Sequence, residues 1–185
     1  MKKILFYFIL AIISIRAVAQ VDTEFWFASP GLITANSSSR NYVRVLSIAT
    51  YDHAAKVTIT QPANPGFTPV VITVPANSMD TLHLEKWSSH MLSTPADQIL
   101  NFGIYITSDY PVSVYYAVTQ ADSEIYTLKG QNGLGTNFLV PMQYSIHENS
   151  GTASSIEIVA TADNTLINIT PSQDCVGHTK GITFT

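Results

Sequence analysis

Charged residues and cysteine are both scarce in this sequence, and the two shortages exclude several classes of protein. Lysine, arginine, aspartate and glutamate together make up only 12% of the 185 residues, and the formal net charge is -4. A nucleic acid is bound by a basic patch and an anionic membrane by a polybasic cluster, so we expect neither partner. The single cysteine, Cys175, excludes an internal disulfide and a cysteine-based zinc site. We interpret it as a small buried or loop residue and not as a reactive thiol.

Long apolar runs are also scarce, and the clearest one lies at the N-terminus. Two lysines precede an apolar run over residues 4–15, which is shorter than the roughly 20 residues that a membrane-spanning helix needs. An A-x-A cleavage site follows at 17–19. We therefore predict that residues 1–19 are a cleaved signal peptide and that the mature protein is secreted or held at the cell surface. No membrane insertion is expected after cleavage.

The sequence also lacks the motifs of catalysis and metal binding. Its five histidines show neither H-x-H nor H-E-x-x-H spacing, and no serine lies in a G-x-S-x-G motif. A carboxylate pair for glycoside cleavage can be drawn among the 13 acidic residues, but no spacing singles out one pair. We therefore expect no enzyme activity, no cofactor and no metal site.

What the sequence does contain is a succession of short strand patterns. Threonine, tyrosine and valine are frequent, and apolar residues alternate with polar ones between turn clusters. One short helix is predicted at 84–90. Many short strand patterns at even spacing, without a helical period, predict an all-β protein built as an antiparallel β-sandwich. The predicted strands are 24–28, 42–50, 56–61, 69–74, 79–84, 103–107, 112–119, 138–144, 155–161, 166–170 and 182–185.

Two segments resemble each other in a way that indicates an internal duplication. The segment "IATYDHAAKVTITQP" (48–62) and the segment "IVATADNTLINITPS" (158–172) both continue from Ala-Thr-x-Asp through a polar turn into an alternating strand that meets proline. The alternative is a chance similarity between two β-hairpins. A repeat of this length indicates tandem β modules. We predict β-sandwich module 1 at 20–128 and a partial β-sandwich module 2 at 129–185.

The second copy is incomplete, because nothing in it corresponds to residues 75–125. Half of a sandwich leaves sheet edges and an apolar face open to water. We expect the chain to continue into further sequence, or this part to need a partner, and we expect 130–185 to be less resistant to proteases than 1–125. Each copy carries an aspartate at its hairpin turn, Asp52 and Asp163, which we interpret as turn-forming residues. Calcium binding is the alternative.

Aromatic residues are the remaining candidates for recognition, because exposed rings stack on sugars or anchor protein interfaces. We predict that one of Tyr116, Tyr126 and Trp87 lines a ligand-facing patch. Tyr115 and Tyr116 are neighbours on one strand, so they point to opposite sides and one of them is expected in the core. Trp26, between two phenylalanines, is expected to plug the core.

Four stretches together resemble the N-terminal domain family named after the IgG-Fc-binding protein. They are "DTEFWFASPG" (22–31), "GIYITSDYPVSVYYAV" (103–118), "GLGTNFLVPMQYS" (133–145) and "SSIEIVATADNTLINITPS" (154–172). The resemblance implies a β-rich extracellular module of the kind found in animal mucus proteins and in large surface proteins of Bacteroidota-type bacteria. It supplies no ligand, and immunoglobulin binding does not follow from the family name.

These observations predict an exported binding or adhesion module without catalysis, whose partner is an extracellular protein or a glycan. Two alternatives remain open. The chain is a structural spacer of a larger surface protein, or it is a carbohydrate-binding domain. A spacer would show only isolated exposed aromatic residues, whereas a binding module would show a contiguous patch.

Overall fold

Strands account for nearly all the regular structure in the computed structural model, which describes residues 20–30, 43–84, 91–119, 124–141 and 154–185. All the strand pairs are antiparallel. No α-helix occurs in these ranges, and the only helical turn is a 3-10 turn at Gly130–Gly133. The seven strands are β1 (Asp22–Phe27), β2 (Val43–Ala49), β3 (Ala55–Thr60), β4 (Val70–Val74), β5 (Met79–His83), β6 (Ile104–Thr119) and β7 (Glu124–Thr127).

β6 organises the sheet because it belongs to both of its halves. The first part of β6 lies between β1 and β3, and β4 pairs with the far side of β3. The second part lies between β7 and β2, and β5 pairs with the far side of β2. The change of partners falls around Pro111, which has no backbone N–H to donate to a ladder. The sheet therefore folds over on itself and is nearly a barrel.

A single apolar core fills the space between the two halves. Leu46 and Ile48 of β2 and Val57 and Ile59 of β3 alternate with more exposed residues, and all four are fully buried. Phe25 of β1 lies in the same cluster. Burying a side chain of this size stabilises a fold by roughly 1.5–3 kcal/mol. The alternation in the sequence thus sets which face of each strand points inward.

The prediction of an all-β antiparallel fold is confirmed. The strands predicted between residues 24 and 84 lie within a residue or two of β1 to β5. The patterns at 103–107 and 112–119 belong to one long strand, β6, and not to two. The predicted signal peptide at 1–19 and residues 85–90 of the predicted helix lie outside the described residues.

The C-terminal part departs from the prediction. Residues 154–185 form no strand, so the strands predicted at 155–161, 166–170 and 182–185 are wrong. Only isolated antiparallel bridges occur there, between Ile169 and Phe184 and between Cys175 and His178. A strand needs a neighbour that accepts its backbone hydrogen bonds along its length, and in this segment the backbone pairing stops at these single bridges. The duplication and the module boundaries stay predictions.

The C-terminal segment nevertheless contacts the sheet domain. The His178 Nε2 atom lies 3.0 Å from the Asp97 Oδ1 atom, and the His178 ring stacks on Phe184. Val159 lies against Gly103, just before β6 begins. Nearer the linker, the backbone N–H of Gln131 donates to the Asp22 carboxylate at 2.7 Å. Residues 154–185 thus contact the part of the chain that precedes β6, and the turn after β7 contacts the start of β1.

Candidate functional site

One end of the folded sheet presents several exposed aromatic and polar side chains. We call this surface the hairpin end and define it by the β2–β3 loop (50–54), the β4–β5 loop (75–78) and the middle of β6 (109–113). The three segments are brought together by the sheet, because β2 runs beside both β5 and β6. Binding residues are often carried by loops that a rigid scaffold positions.

Thr50 fixes the two loops of the hairpin end to each other. Its buried hydroxyl shares its one proton between the carbonyl oxygens of Pro75 and Ser78 and accepts from the Ser78 N–H at 3.2 Å. The Asn77 N–H donates to the Tyr51 carbonyl, and Asn77 has a φ of 51°. Asparagine tolerates this left-handed conformation better than most residues. The loops are therefore held by backbone and side-chain hydrogen bonds on both sides.

Aromatic rings form the exposed part of the hairpin end. The Tyr51 side chain is 46% exposed and Tyr110 is 43% exposed. The His53 ring stacks on Tyr110 with centroids 4.6 Å apart and planes 5° from parallel, and the His53 side chain is 55% exposed. The Tyr51 hydroxyl shares a hydrogen bond of 2.7 Å with the Ser113 hydroxyl, which also donates to the Gln20 carbonyl.

Two carboxylates belong to the hairpin end, Asp52 beside the His53 ring and Asp109 on β6, and each is oriented by a contact with the protein. The Asp52 Oδ1 atom lies 3.0 Å from the His53 Nδ1 atom. This hydrogen bond, helped by attraction to the imidazole charge, holds the pKa of Asp52 below its usual value. The Asp109 Oδ1 atom accepts the Lys56 backbone N–H at 2.7 Å. Each carboxylate keeps a second oxygen that can accept hydrogen bonds.

Tyr116, one of the predicted ligand-binding residues, lies in the core and not at a surface. Its side chain is fully buried, and its hydroxyl accepts a hydrogen bond from the Ser29 hydroxyl at 3.2 Å. Its ring lies 4.7 Å from that of Phe27. The alternation of Tyr115 and Tyr116 is confirmed, since Tyr115 points to the other side of β6 and is half-buried. Tyr116 is therefore not the one of the three that lines a surface patch, and that prediction rests on Tyr126 and Trp87.

Tyr126, the second predicted residue, is 45% exposed on β7. It lies directly across the strand pair from Tyr116, with ring centroids 6.1 Å apart. Its hydroxyl donates to the Glu124 carboxylate. That hydrogen bond, with partial burial and the nearby charges of Glu124 and Glu157, raises the pKa of Tyr126 to about 12. Trp87, the third predicted residue, lies outside the described residues.

Trp26 is not the core plug that the sequence predicts. Phe25 fills the core, and Trp26 points to the outer face of β1, where it stacks on Tyr105 of β6 at 4.4 Å. Burial, with the neighbouring Glu24 carboxylate, raises the pKa of Tyr105. Threonine residues of β3 and β6 continue this outer face. This second aromatic surface is less open than the hairpin end, because both of its rings are half-buried.

Sequence reasoning missed Tyr51 and His53, which the structure places at the hairpin end. A usable signal exists, because both residues flank Asp52 in the segment predicted as a hairpin turn. Aromatic side chains in a tight turn point to solvent more readily than those in a central strand. In the described ranges, no three histidine, cysteine or acidic side chains gather to hold a metal ion.

Comparisons with known proteins give little guidance. No family model matches the chain, and no curated protein matches it significantly. Among solved structures, it is similar to the Anabaena sensory rhodopsin transducer at 19% identity and a TM-score of 0.29, over 54% of this chain and 99% of that one. It is also similar to a Thermotoga maritima protein at 17% identity and a TM-score of 0.31, over 58% and 96% of the two chains. No helix within the described residues is long and apolar enough to cross a membrane.

Proposed function

We propose that this chain is an exported binding or adhesion module that acts at the cell surface or after secretion, without catalysis, and that it binds through the hairpin end. The observation that carries the proposal is the group of Tyr51, His53 and Tyr110, which are exposed together and held on a rigid sheet. Tyrosine is enriched among the residues that dominate binding energy, because it offers a large ring and a polar tip at little entropic cost.

The firmness of the scaffold supports a binding role for this surface. A loop that is ordered before it meets a ligand loses less conformational entropy on binding. The Thr50 hydrogen bonds join the two loops, and the Lys56 N–H orients Asp109 beside Tyr110. The proposed contact residues therefore stand in fixed positions before any partner arrives.

Export is the second part of the proposal, and the sequence supports it through the signal peptide at 1–19. The resemblance to the N-terminal domain family named after the IgG-Fc-binding protein also favours an extracellular setting. Fractionation of the native host would test this part. We expect the chain outside the cytoplasm and beginning at Gln20. A cytoplasmic protein that retains residues 1–19 would contradict it.

Binding can be tested with the full exported chain on immobilised mucin, on extracellular-matrix proteins and on host cells. We expect the variant His53→Ala/Tyr110→Ala to lose about tenfold or more in affinity, because truncating the few residues that dominate an interface costs about 2 kcal/mol or more. Tyr126→Ala is the matched control, since this tyrosine is equally exposed but lies on β7. If the unaltered chain, the double variant and Tyr126→Ala all bind equally well, the hairpin end is not the binding surface.

A structural spacer is the second candidate, and one observation favours it. Large apolar side chains from Leu134 to Ile182 are exposed, among them Phe138, Leu139 and Leu166. Exposed apolar surface of this kind marks contact with another domain or partner. If the chain only positions its neighbours in a larger protein, neither the unaltered chain nor the two variants will bind mucin, extracellular-matrix proteins or host cells.

A further inference from the structure

We propose that the hairpin end binds a neutral pyranose residue of a glycan. The inference rests on the proposed binding function and adds the chemical class of the ligand. It places the sugar against the Tyr110 and His53 rings, with its hydroxyl groups donating to Asp52 and Asp109. Three features of the site support it: the ring arrangement, the oriented acceptors and the charge of the site.

The ring arrangement leaves flat aromatic surface for a sugar. Tyr110 and His53 are parallel to within 5°, so each ring covers one face of the other and leaves its remaining face to other contacts. Both side chains expose about half of their area to solvent. The face of an aromatic ring is negative, and the C–H groups on one face of a pyranose carry a small positive charge. The two surfaces therefore complement each other in shape and in charge.

The oriented acceptors suit the hydroxyl groups of the same sugar. One oxygen of Asp52 is held by the His53 ring and one oxygen of Asp109 by the Lys56 N–H. An ionised carboxylate has about four lone-pair sites, so both groups can still accept from a donor. Hydrogen bonds to a charged acceptor are shorter and stronger than those between neutral groups. Sugar hydroxyls flanking a stacked ring would meet these acceptors at its border.

The charges at the hairpin end disfavour an anionic ligand. Asp52, beside the His53 ring, and Asp109, on the Lys56 backbone N–H, place two carboxylates on this surface. A strongly acidic site would select a cation, and a basic one would select a phosphate or sulfate. An anionic sugar would face two carboxylates, which disfavour it. A neutral hexose or N-acetylhexosamine is the sugar class that remains.

The test measures binding of the full exported chain to immobilised oligosaccharides of neutral hexoses and N-acetylhexosamines. Sulfated and sialylated counterparts are presented beside them. We expect binding to neutral glycans, weaker binding to the anionic ones, and a loss of about threefold to tenfold in affinity for Tyr110→Ala. Tyr110→Phe should keep most of the affinity because it keeps the ring. Asp52→Ala should also weaken binding, and it should fold normally because Asp52 is 85% exposed.

Controls separate this inference from the proposed function. Tyr126→Ala should bind glycans like the unaltered chain, and circular dichroism with thermal melting should show that every variant is folded. If no neutral glycan binds but the chain binds a deglycosylated protein through Tyr110, the glycan inference fails and the binding function stands. If neither glycans nor proteins bind, both fail. Glycan binding that Tyr110→Ala and Asp52→Ala leave unchanged would place the sugar elsewhere and overturn the inference.

Discussion

At the hairpin end, the structure shifts the ionisation of the Asp52 carboxylate. Its contact with His53 lowers its pKa from the ordinary value of about 3.9. We expect His53→Ala to return the pKa of Asp52 to that ordinary value. NMR titration of the aspartate carboxyl signals measures this directly. A pKa that stays low in His53→Ala would show that His53 is not the cause.

His53 stabilises the ionised form of Asp52, and this determines how the contribution of Asp52 to folding stability changes with pH. Because the folded-state pKa of Asp52 is depressed, its contribution to stability is present above the unfolded-state value. That contribution is lost as the pH falls through the folded-state pKa. The group is exposed, so the contact should orient the carboxylate more than it stabilises the fold.

The Tyr126 hydroxyl shows a pKa shift in the opposite direction, upward. Glu124, as a hydrogen-bond acceptor, stabilises the neutral phenol and raises the pKa of Tyr126 to about 12. We expect Glu124→Gln to bring this pKa back towards its ordinary value of about 10. The measurement is the tyrosine ring chemical shift against pH. A pKa that stays near 12 in Glu124→Gln would show that the Glu124 hydrogen bond is not the cause.

At the scale of single residues, the sequence predicts only part of the candidate site. The alternation of Tyr115 and Tyr116 requires that one ring be buried, but a two-residue period does not say which one. The answer depends on the pairing of Tyr116 with Leu46 on the inner face. Trp26 was misplaced for the same reason, because alternation allows either Phe25 or Trp26 to point inward. Only strand register resolves such a choice.

Among the elements, the turn after β7 depends on a glycine. Gly130 has a φ of 57°, and a Cβ atom placed there would lie 2.4 Å from the Asp22 Oδ2 atom. We expect Gly130→Ala to lower the free energy of unfolding by about 2–3 kcal/mol, from left-handed strain and from loss of the Asp22 hydrogen bond to Gln131. Denaturant unfolding with matched m-values measures the change.

Gly181→Ala is the matched control for this substitution. Gly181 has a φ of 74°, but no atom lies within 4 Å of its added Cβ. Its replacement therefore introduces strain without a clash, and the loss should be about 1–2 kcal/mol at most. If Gly130→Ala costs no more than Gly181→Ala, the contact between Asp22 and the turn contributes nothing measurable.

Thr50 joins the β2–β3 loop to the β4–β5 loop and is the second element-level test. Thr50→Val keeps the shape but leaves the carbonyls of Pro75 and Ser78 without their side-chain donor. We expect a loss of about 1–3 kcal/mol, measured by thermal or denaturant unfolding. Thr81→Val removes a comparable hydroxyl, whose hydrogen bond with the half-buried Ser47 is exposed. It should change stability by less than about 0.5 kcal/mol.

The strand patterns predict β1 to β6 well because most of these strands have one buried and one more open face. The short strand β7 has no buried residue and is not predicted. Lys56 to Thr60 shows the two faces in the alternation of exposed and buried residues. The same pattern at 155–161 fails, although its side chains alternate similarly in the sequence. Alternation reports that a segment can form a strand, whereas a strand also requires a neighbouring backbone. Sequence periodicity contains no information about that neighbour.

The whole molecule combines a well-packed sheet with a C-terminal segment that buries little. We expect limited proteolysis to cut first within 131–141 or 154–185, where most residues are exposed and lie outside strands. Proteases need locally open backbone, and most of the backbone of β2, β3 and β6 is held in ladder hydrogen bonds. Mass spectrometry of early fragments gives the sites. Equal resistance of the sheet and the C-terminal segment would contradict this expectation.

A pulling force on this molecule would act on β6, which belongs to both halves of the sheet. This one strand forms ladders with four others, β1, β2, β3 and β7, and its midpoint lies at the hairpin end. A force applied through a partner bound there would act on both halves of the sheet simultaneously. Neither half can peel away while the other stays intact, so the module should rupture in one abrupt event and resist gradual extension.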